Sequence, residues 1–226
     1  MKTIDLIVDM AEGDPWDDEL IGLCSSAAVC CGSHAGSPEL AKETAARCRA
    51  RGVRVVAHPG YPDRANKGRE SLPLEDDSAA ARLLEALTRQ VEVLADAKAI
   101  KLHGALYHQA STSLAHSGVL TALLFRTKLP LVGWKEGRQL ASARAAGVEF
   151  FSEGFADRRL DGEGRMVARS QPGALLTDPE EIKASVLRLA PTCRSLCVHG
   201  DTPGCVEILE SVRKALIDEG WRIGHP

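Results

Sequence analysis

Aromatic side chains are scarce in this chain of 226 residues: three Trp, two Tyr and four Phe, 4% of the total. A surface that stacks nucleic-acid bases needs more of them. A net charge of −3 and a pI near 6.2 leave no electrostatic footprint for nucleic acid. No run of like charges reaches five, and no apolar stretch approaches the eighteen residues of a membrane span. The common phosphate loops are missing too. A-E-G-D stands after the first predicted strand where G-x-G-x-x-G would be needed, and there is no Walker A motif. No G-x-S-x-G marks a serine nucleophile. No C-x-x-C pairs any of the seven cysteines, and their number is odd. The opening MKTIDLIVDMAEGD has acids inside its apolar stretch, unlike a secretory leader. The cysteines are therefore expected to be reduced, mostly buried as small apolar residues, in a cytoplasmic protein.

What is present is a core-forming composition, 44% hydrophobic, and a regular alternation of two patterns. Alternation at 4–10 and short apolar runs bounded by turn residues at 26–31, 53–57, 99–102, 129–134, 148–153 and 195–198 predict strands. Between them, three- and four-residue apolar spacing and capping signals predict helices at 14–24, 38–51, 75–97, 113–127, 135–146, 178–190 and 202–219. Seven strands alternating with seven helices, with no linker or composition break, imply a parallel sheet covered by helices. The length and repeat count favour one domain over 1–226, an irregular seven-stranded TIM-like α/β barrel rather than a doubly wound sheet.

Four of the predicted strands end alike. Residues 29–36 read VCCGSHAG, 53–60 VRVVAHPG, 100–106 IKLHGAL and 196–204 LCVHGDTPG. Each places a histidine beside glycine at a carboxyl end, where α/β sheets and barrels carry their chemistry. His34, His58, His103 and His199 thus predict one site built from several strands. Asp9 and Glu12, after the first strand, can bind a metal or serve as a general base, or can merely cap a turn. Asp9, His34 and His58 together are the candidate set for a metal ion. Lys101 shares its strand face with His103. An inward lysine needs an anion or a buried carboxylate, and Asp9 is the natural partner. Asp157, Arg158, Arg159 and Arg169-Ser170 flank a long loop after the sixth strand. They and Arg69 suit carboxylate or phosphate, or are simply solvated. Asp201, before Thr202-Pro203, joins His199 at a helix start that can hold an anion. His108, His116 and His225 lack the strand-end setting and read as ordinary surface or helix residues.

Together these segments resemble the LamB/YcsF family. The likeness rests on D-L-x-x-D-x-x-E at 5–12, C-G-S-H-A-G-S-P at 31–38, A-H-P-G-Y-P-D at 57–63, G-R at 68–69 and K-L-H-G-A-L-Y at 101–107. It continues with F-A-D-R-R at 155–159, R-S-Q-P-G-A at 169–174 and V-H-G-D-T-P-G at 198–204. The motifs fall in the family's order and cover most of the chain. The chain departs from the usual pattern at Ile7 (Asn), Ala11 (Gly), Leu102 (Pro) and His108 (Asn), and it is shorter after Glu12.

The resemblance implies a barrel of the glycoside hydrolase/deacetylase type. It also implies ATP-dependent opening of the lactam 5-oxoproline to L-glutamate, with ATP and Mg as cosubstrate and further 5-oxoprolinase subunits as partners; no nucleic acid or membrane partner is expected. The family is also associated with carbohydrate metabolism. On that basis Asp9, Glu12, His34, His58, Lys101 and His103 are the expected catalytic groups. Arg69, Asp157, Arg158, Arg169, His199 and Asp201 are expected to bind substrate or nucleotide. Two other readings remain open: a metal-dependent amide or carbohydrate deacylase using Asp9, His34 and His58, with a bound transition metal, and a non-catalytic, partner-binding role.

Overall fold

The structure, a computed structural model, describes residues 2–161, 166–167, 169 and 171–225. Ser170 lies outside these residues. Seven parallel strands close into a barrel: β1 (Lys2–Met10), β2 (Ser26–Cys30), β3 (Arg54–His58), β4 (Ile100–Lys101), β5 (Leu131–Gly133), β6 (Phe150–Phe155) and β7 (Ser195–Val198). Neighbours pair in sequence order, and β1 closes the ring by pairing with both β7 and β2. β2 to β5 and β7 are buried almost throughout, which is why they read as short apolar runs rather than alternating ones; β1 is buried from residue 4 on although Asp5 and Asp9 interrupt its apolar residues.

The helices pack around the outside: α1 (Asp17–Leu23), α2 (Pro38–Ala50), α3 (Asp77–Glu92), α4 (Gly104–Thr112), α5 (Leu114–Thr127), α6 (Gln139–Ala146), α7 (Pro179–Leu189) and α8 (Cys205–Asp218). Four of these eight start on a capping side chain: α2, α3, α5 and α7. Ser37 accepts from the Leu40 amide with Pro38 in the first turn, and Asp178 accepts from the amides of Glu180 and Glu181 ahead of Pro179.

Two elements go beyond the seven-and-seven expectation. α4 buries Ala105, Leu106, Tyr107, Ala110 and Ser111, so it has no narrow apolar stripe, and it begins on a glycine. A short eighth strand, β8 (Trp221–Ile223), pairs in parallel with residues 2–4 of β1 and is too brief to show an alternation. α3 ends at Glu92 instead of 97; its apolar stripe runs on through Leu94 in tight turns.

The two ends of the barrel differ. At the amino-terminal end Asp5 is fully buried. It accepts from Ser25 Oγ (2.7 Å), Ser26 Oγ (2.7 Å), Ser195 Oγ (3.2 Å) and Arg54 Nη2 (2.8 Å). This satisfied polar plug fixes the register of four strands. At the other end Asp9, His58 and Lys101 come together because parallel strands deliver all their carboxyl ends to one mouth. Ala11 sits there in the left-handed region at φ +63°, so the path from β1 to Glu12 turns sharply.

Candidate active site

Lys101 is the centre of the mouth. Its side chain is 2% exposed, and Nζ donates to Asp9 Oδ1 at 2.5 Å. It also donates to Cys197 Sγ at 3.1 Å and stands 3.4 Å from Glu153 Oε1. This is the pairing expected of an inward lysine, for which Asp9 is the natural partner. Burial alone would raise the Asp9 carboxyl, but the Lys101 ammonium beside it holds it well below the usual range. Burial would likewise lower Lys101; the charges of Asp9, Cys197 and Glu153 hold it well above its ordinary value. Glu153 is buried, and its oxygens accept no hydrogen bond among the described residues. Burial pushes its carboxyl up despite Lys101. Burial, with Glu153 close by, raises Tyr107 as well.

A group of three imidazoles adjoins this centre. His58, the last residue of β3, places Nδ1 2.8 Å from the Lys101 carbonyl and Nε2 3.5 Å from Asp9 Oδ2. His103, at the start of α4, places Nε2 2.8 Å from the Lys67 carbonyl and Nδ1 3.0 Å from His58 Nε2. His34 stacks on His103, ring centroids 3.8 Å apart. The backbones of Gly60 and Gly68 make room for that stack. A Cβ at Gly60 would come within 3.0 Å of both His34 Nδ1 and His103 Cβ, and Gly68 takes φ +65°. Glu12 Oε1 lies 3.6 Å from His34 Nε2 and 3.5 Å from His103 Nδ1. Burial would lower His34, but Cys30 and Glu12 beside it raise it to about 9. Burial, with the neighbouring imidazoles, holds His103 well below the usual range.

The donor atoms of Glu12, His34, His58 and His103 lie within 4.8 Å of one another, as do those of Asp9, Cys197 and His199. Imidazole and carboxylate donors at this spacing suit a divalent transition metal. The structure therefore groups His34 and His58 with Glu12 and His103, while Asp9 is engaged by Lys101.

Residues from β6 and β7 form the far wall. Asp157 accepts from the His199 amide (3.1 Å) and from Thr202 Oγ1 (3.1 Å), and lies 2.9 Å from His199 Nδ1. Burial opposes charge on both, yet mutual attraction prevails: Asp157 is lowered and His199 raised. Asp201 accepts from Arg69 and, at 2.7 Å, from Arg169, tying together the loops after β3, β6 and β7. Arg158 Nη2 donates to the Val167 carbonyl at 2.7 Å, while its buried Nε has no partner among the described residues.

These groups surround a cavity of about 590 Å³ lined by Asp9, His58, Lys101, His103, Arg158, Arg169, Arg69 and His199. Of the twelve expected site residues, Glu12, His34, Asp157 and Asp201 sit just behind this lining, each against one of its members. Tyr107, Phe155 and His108 also line it. His108 was expected to be an ordinary surface or helix residue. It faces the cavity because α4 starts directly at the end of β4. Glu153 and Cys197 are not among the expected residues; the signal for Glu153 is an acid at the carboxyl end of the predicted strand 148–153.

The LamB/YcsF family profile matches residues 4–226. The A-type subunit of 5-oxoprolinase from Neisseria meningitidis serogroup C is 35% identical, with 99% of each chain covered. The crystal structure of the lactam utilization protein from Thermus thermophilus superimposes with a TM-score of 0.87 at 30% identity, covering all of both chains. A family 4 carbohydrate esterase from Streptomyces lividans shares the fold alone, with a TM-score of 0.56 at 13% identity over 99% of this chain and 92% of that one. The chain belongs to the LamB/YcsF family.

Proposed function

We propose that this chain opens the lactam 5-oxoproline to L-glutamate, with consumption of ATP, as one component of a multi-subunit cytoplasmic 5-oxoprolinase. The observation that carries this reading is the similarity, over nearly the full length of both chains, to a protein named as the A-type subunit of 5-oxoprolinase. The cavity chemistry supports it. The substrate is small, carries one carboxylate, and must gain a water and lose a C–N bond. Arg158, which lines the cavity and has a buried Nε without a partner among the described residues, suits the carboxylate. Arg69 and Arg169, now shared with Asp201, suit phosphate.

A lactam carbonyl is a poor electrophile. Transfer of a phosphoryl group from ATP to its oxygen turns that oxygen into a leaving group. Water then adds at the carbon, the ring C–N bond breaks with a proton delivered to nitrogen, and a second water hydrolyses the resulting acyl phosphate to the carboxylate and inorganic phosphate. In this scheme Lys101 steadies charge on the carbonyl oxygen and Asp9 takes the proton from water. The experiment is glutamate release from 5-oxoproline by the purified chain with its partner subunits. Release that requires ATP supports the proposal, and none with all subunits present contradicts it.

A second reading, a metal-dependent amide or carbohydrate deacylase, draws support from the imidazole–carboxylate group. ATP-independent deacetylation of chitin oligosaccharides would favour it. A non-catalytic role would show as partner binding without turnover.

A further inference from the structure

We propose that His58 Nε2, His103 Nδ1 and the Glu12 carboxylate bind one divalent transition-metal ion, with positions left open toward the cavity and with His34 outside the ligand set.

The first reason is the hydrogen-bond pattern of the two rings. A backbone carbonyl only accepts, so the contacts to the Lys101 and Lys67 carbonyls, each 2.8 Å, require hydrogens on His58 Nδ1 and His103 Nε2. The neutral rings then turn bare lone pairs toward each other, at His58 Nε2 and His103 Nδ1, 3.0 Å apart. Two facing lone pairs at that distance repel unless a cation stands between them. Metal-bound imidazoles characteristically anchor their second nitrogen on a carbonyl or carboxylate, as both rings do here.

The second reason is spacing. For bonds of about 2.0–2.1 Å, donor atoms stand about 2.9 Å apart at right angles and about 3.4 Å apart at the tetrahedral angle. The His58–His103 separation is 3.0 Å and the His103–Glu12 separation 3.5 Å. The latter is too long for a good hydrogen bond and suits two ligands of one ion. The His58 and His103 rings cross at 89°, so their planes intersect and one ion can lie in both.

Ring orientation also excludes His34. Its ring is within 5° of parallel to His103 in the stack. A nitrogen lone pair lies in the ring plane, and two stacked parallel planes share no nearby point. An ion in the plane of His103 is therefore off the plane of His34. His34 instead packs beside Glu12, Nε2 3.6 Å from Oε1, a charge contact rather than a hydrogen bond. Two imidazoles and one carboxylate leave coordination sites free, and both ligand histidines line the cavity. An open position beside Asp9 is the arrangement of a catalytic rather than a structural metal site.

The test is binding, read without turnover, so its failure and that of lactam opening are separable. The chelator-stripped full chain is titrated with Zn(II) or Co(II). One equivalent is expected to bind. His103→Gln is expected to abolish that binding. His34→Phe, which keeps the stack, is expected to bind one equivalent with affinity reduced by about 10–100-fold. Should the variants fold poorly, the proton NMR spectrum of the Co(II)-loaded wild type decides. Two hyperfine-shifted, solvent-exchangeable imidazole N–H signals are expected, from His58 Nδ1 and His103 Nε2. No bound metal, which would leave a proton between the two rings, overturns the proposal. Undiminished binding by His103→Gln, or a third shifted N–H signal, does so as well.

Discussion

Replacing Lys101 by Met removes an ammonium from the most charged point of the interior while keeping most of the side chain's volume. Little cavity cost is expected, so the effect isolates charge. The wild-type ammonium is 2% exposed and lies 2.5 Å from Asp9 Oδ1 and 3.4 Å from Glu153 Oε1. Removing one partner of a buried pair leaves the other charge uncompensated, which costs about 3–5 kcal/mol. Lys101→Met is therefore expected to lose about 3–5 kcal/mol at neutral pH in urea denaturation followed by circular dichroism. Asp9→Asn should be costly for the same reason. The double variant should be less destabilised than the sum of the two, with a coupling energy of about 1–3 kcal/mol. A loss for Lys101→Met below about 1 kcal/mol, or strict additivity in the cycle, would refute this view of the centre.

At the opposite end of the barrel, Arg54→Met leaves Asp5 buried with hydroxyl partners only. It should cost about 3–5 kcal/mol by denaturation and leave metal stoichiometry and kcat of the folded protein unchanged. The His199–Asp157 pair predicts a pH dependence. His199 is raised, so its contribution is full below about 6.5 and fades as pH climbs through its folded value. Asp157 is lowered, so its contribution is full above about 3.9 and is lost only as pH falls through its folded value. The stability gap between wild type and Asp157→Asn should thus be larger at about pH 6 than at about pH 9, and NMR titration should show the His199 pKa falling in the variant. For turnover, Arg158→Gln should raise KM for 5-oxoproline by about 10–100-fold while leaving KM for 2-pyrrolidone, which lacks the carboxylate, little changed.

The barrel was legible because most of its buried parallel strands are brief apolar runs, four of them ended by His with Gly or Pro nearby, and parallel strands send those ends to one mouth. That logic located His58, Lys101, His103 and His199, and the cost of burying an unpaired ammonium pointed Lys101 to Asp9. Contacts set by register between distant strands were not legible. The plug joining Asp5 to Ser26, Arg54 and Ser195 spans up to 190 residues of sequence, and nothing local in those residues announces it. The grouping of Glu12 with the imidazoles depends on the left-handed turn at Ala11, which an alanine does not itself announce, although the family pattern has glycine there. His108 came into the cavity through a helix without an amphipathic stripe, and Glu153 was masked by phenylalanines in its own strand.

Lactam opening at this barrel mouth is tested most directly by measuring kcat for Asp9→Asn. The variant is assembled with the partner subunits, supplied with 5-oxoproline and ATP, and shown to be folded by circular dichroism. Removal of the carboxylate that takes the water proton predicts a fall in kcat of about 10²–10⁴-fold with partner binding intact. Glutamate release at the wild-type rate by the folded, assembled variant would contradict the assignment of the chemistry to this site.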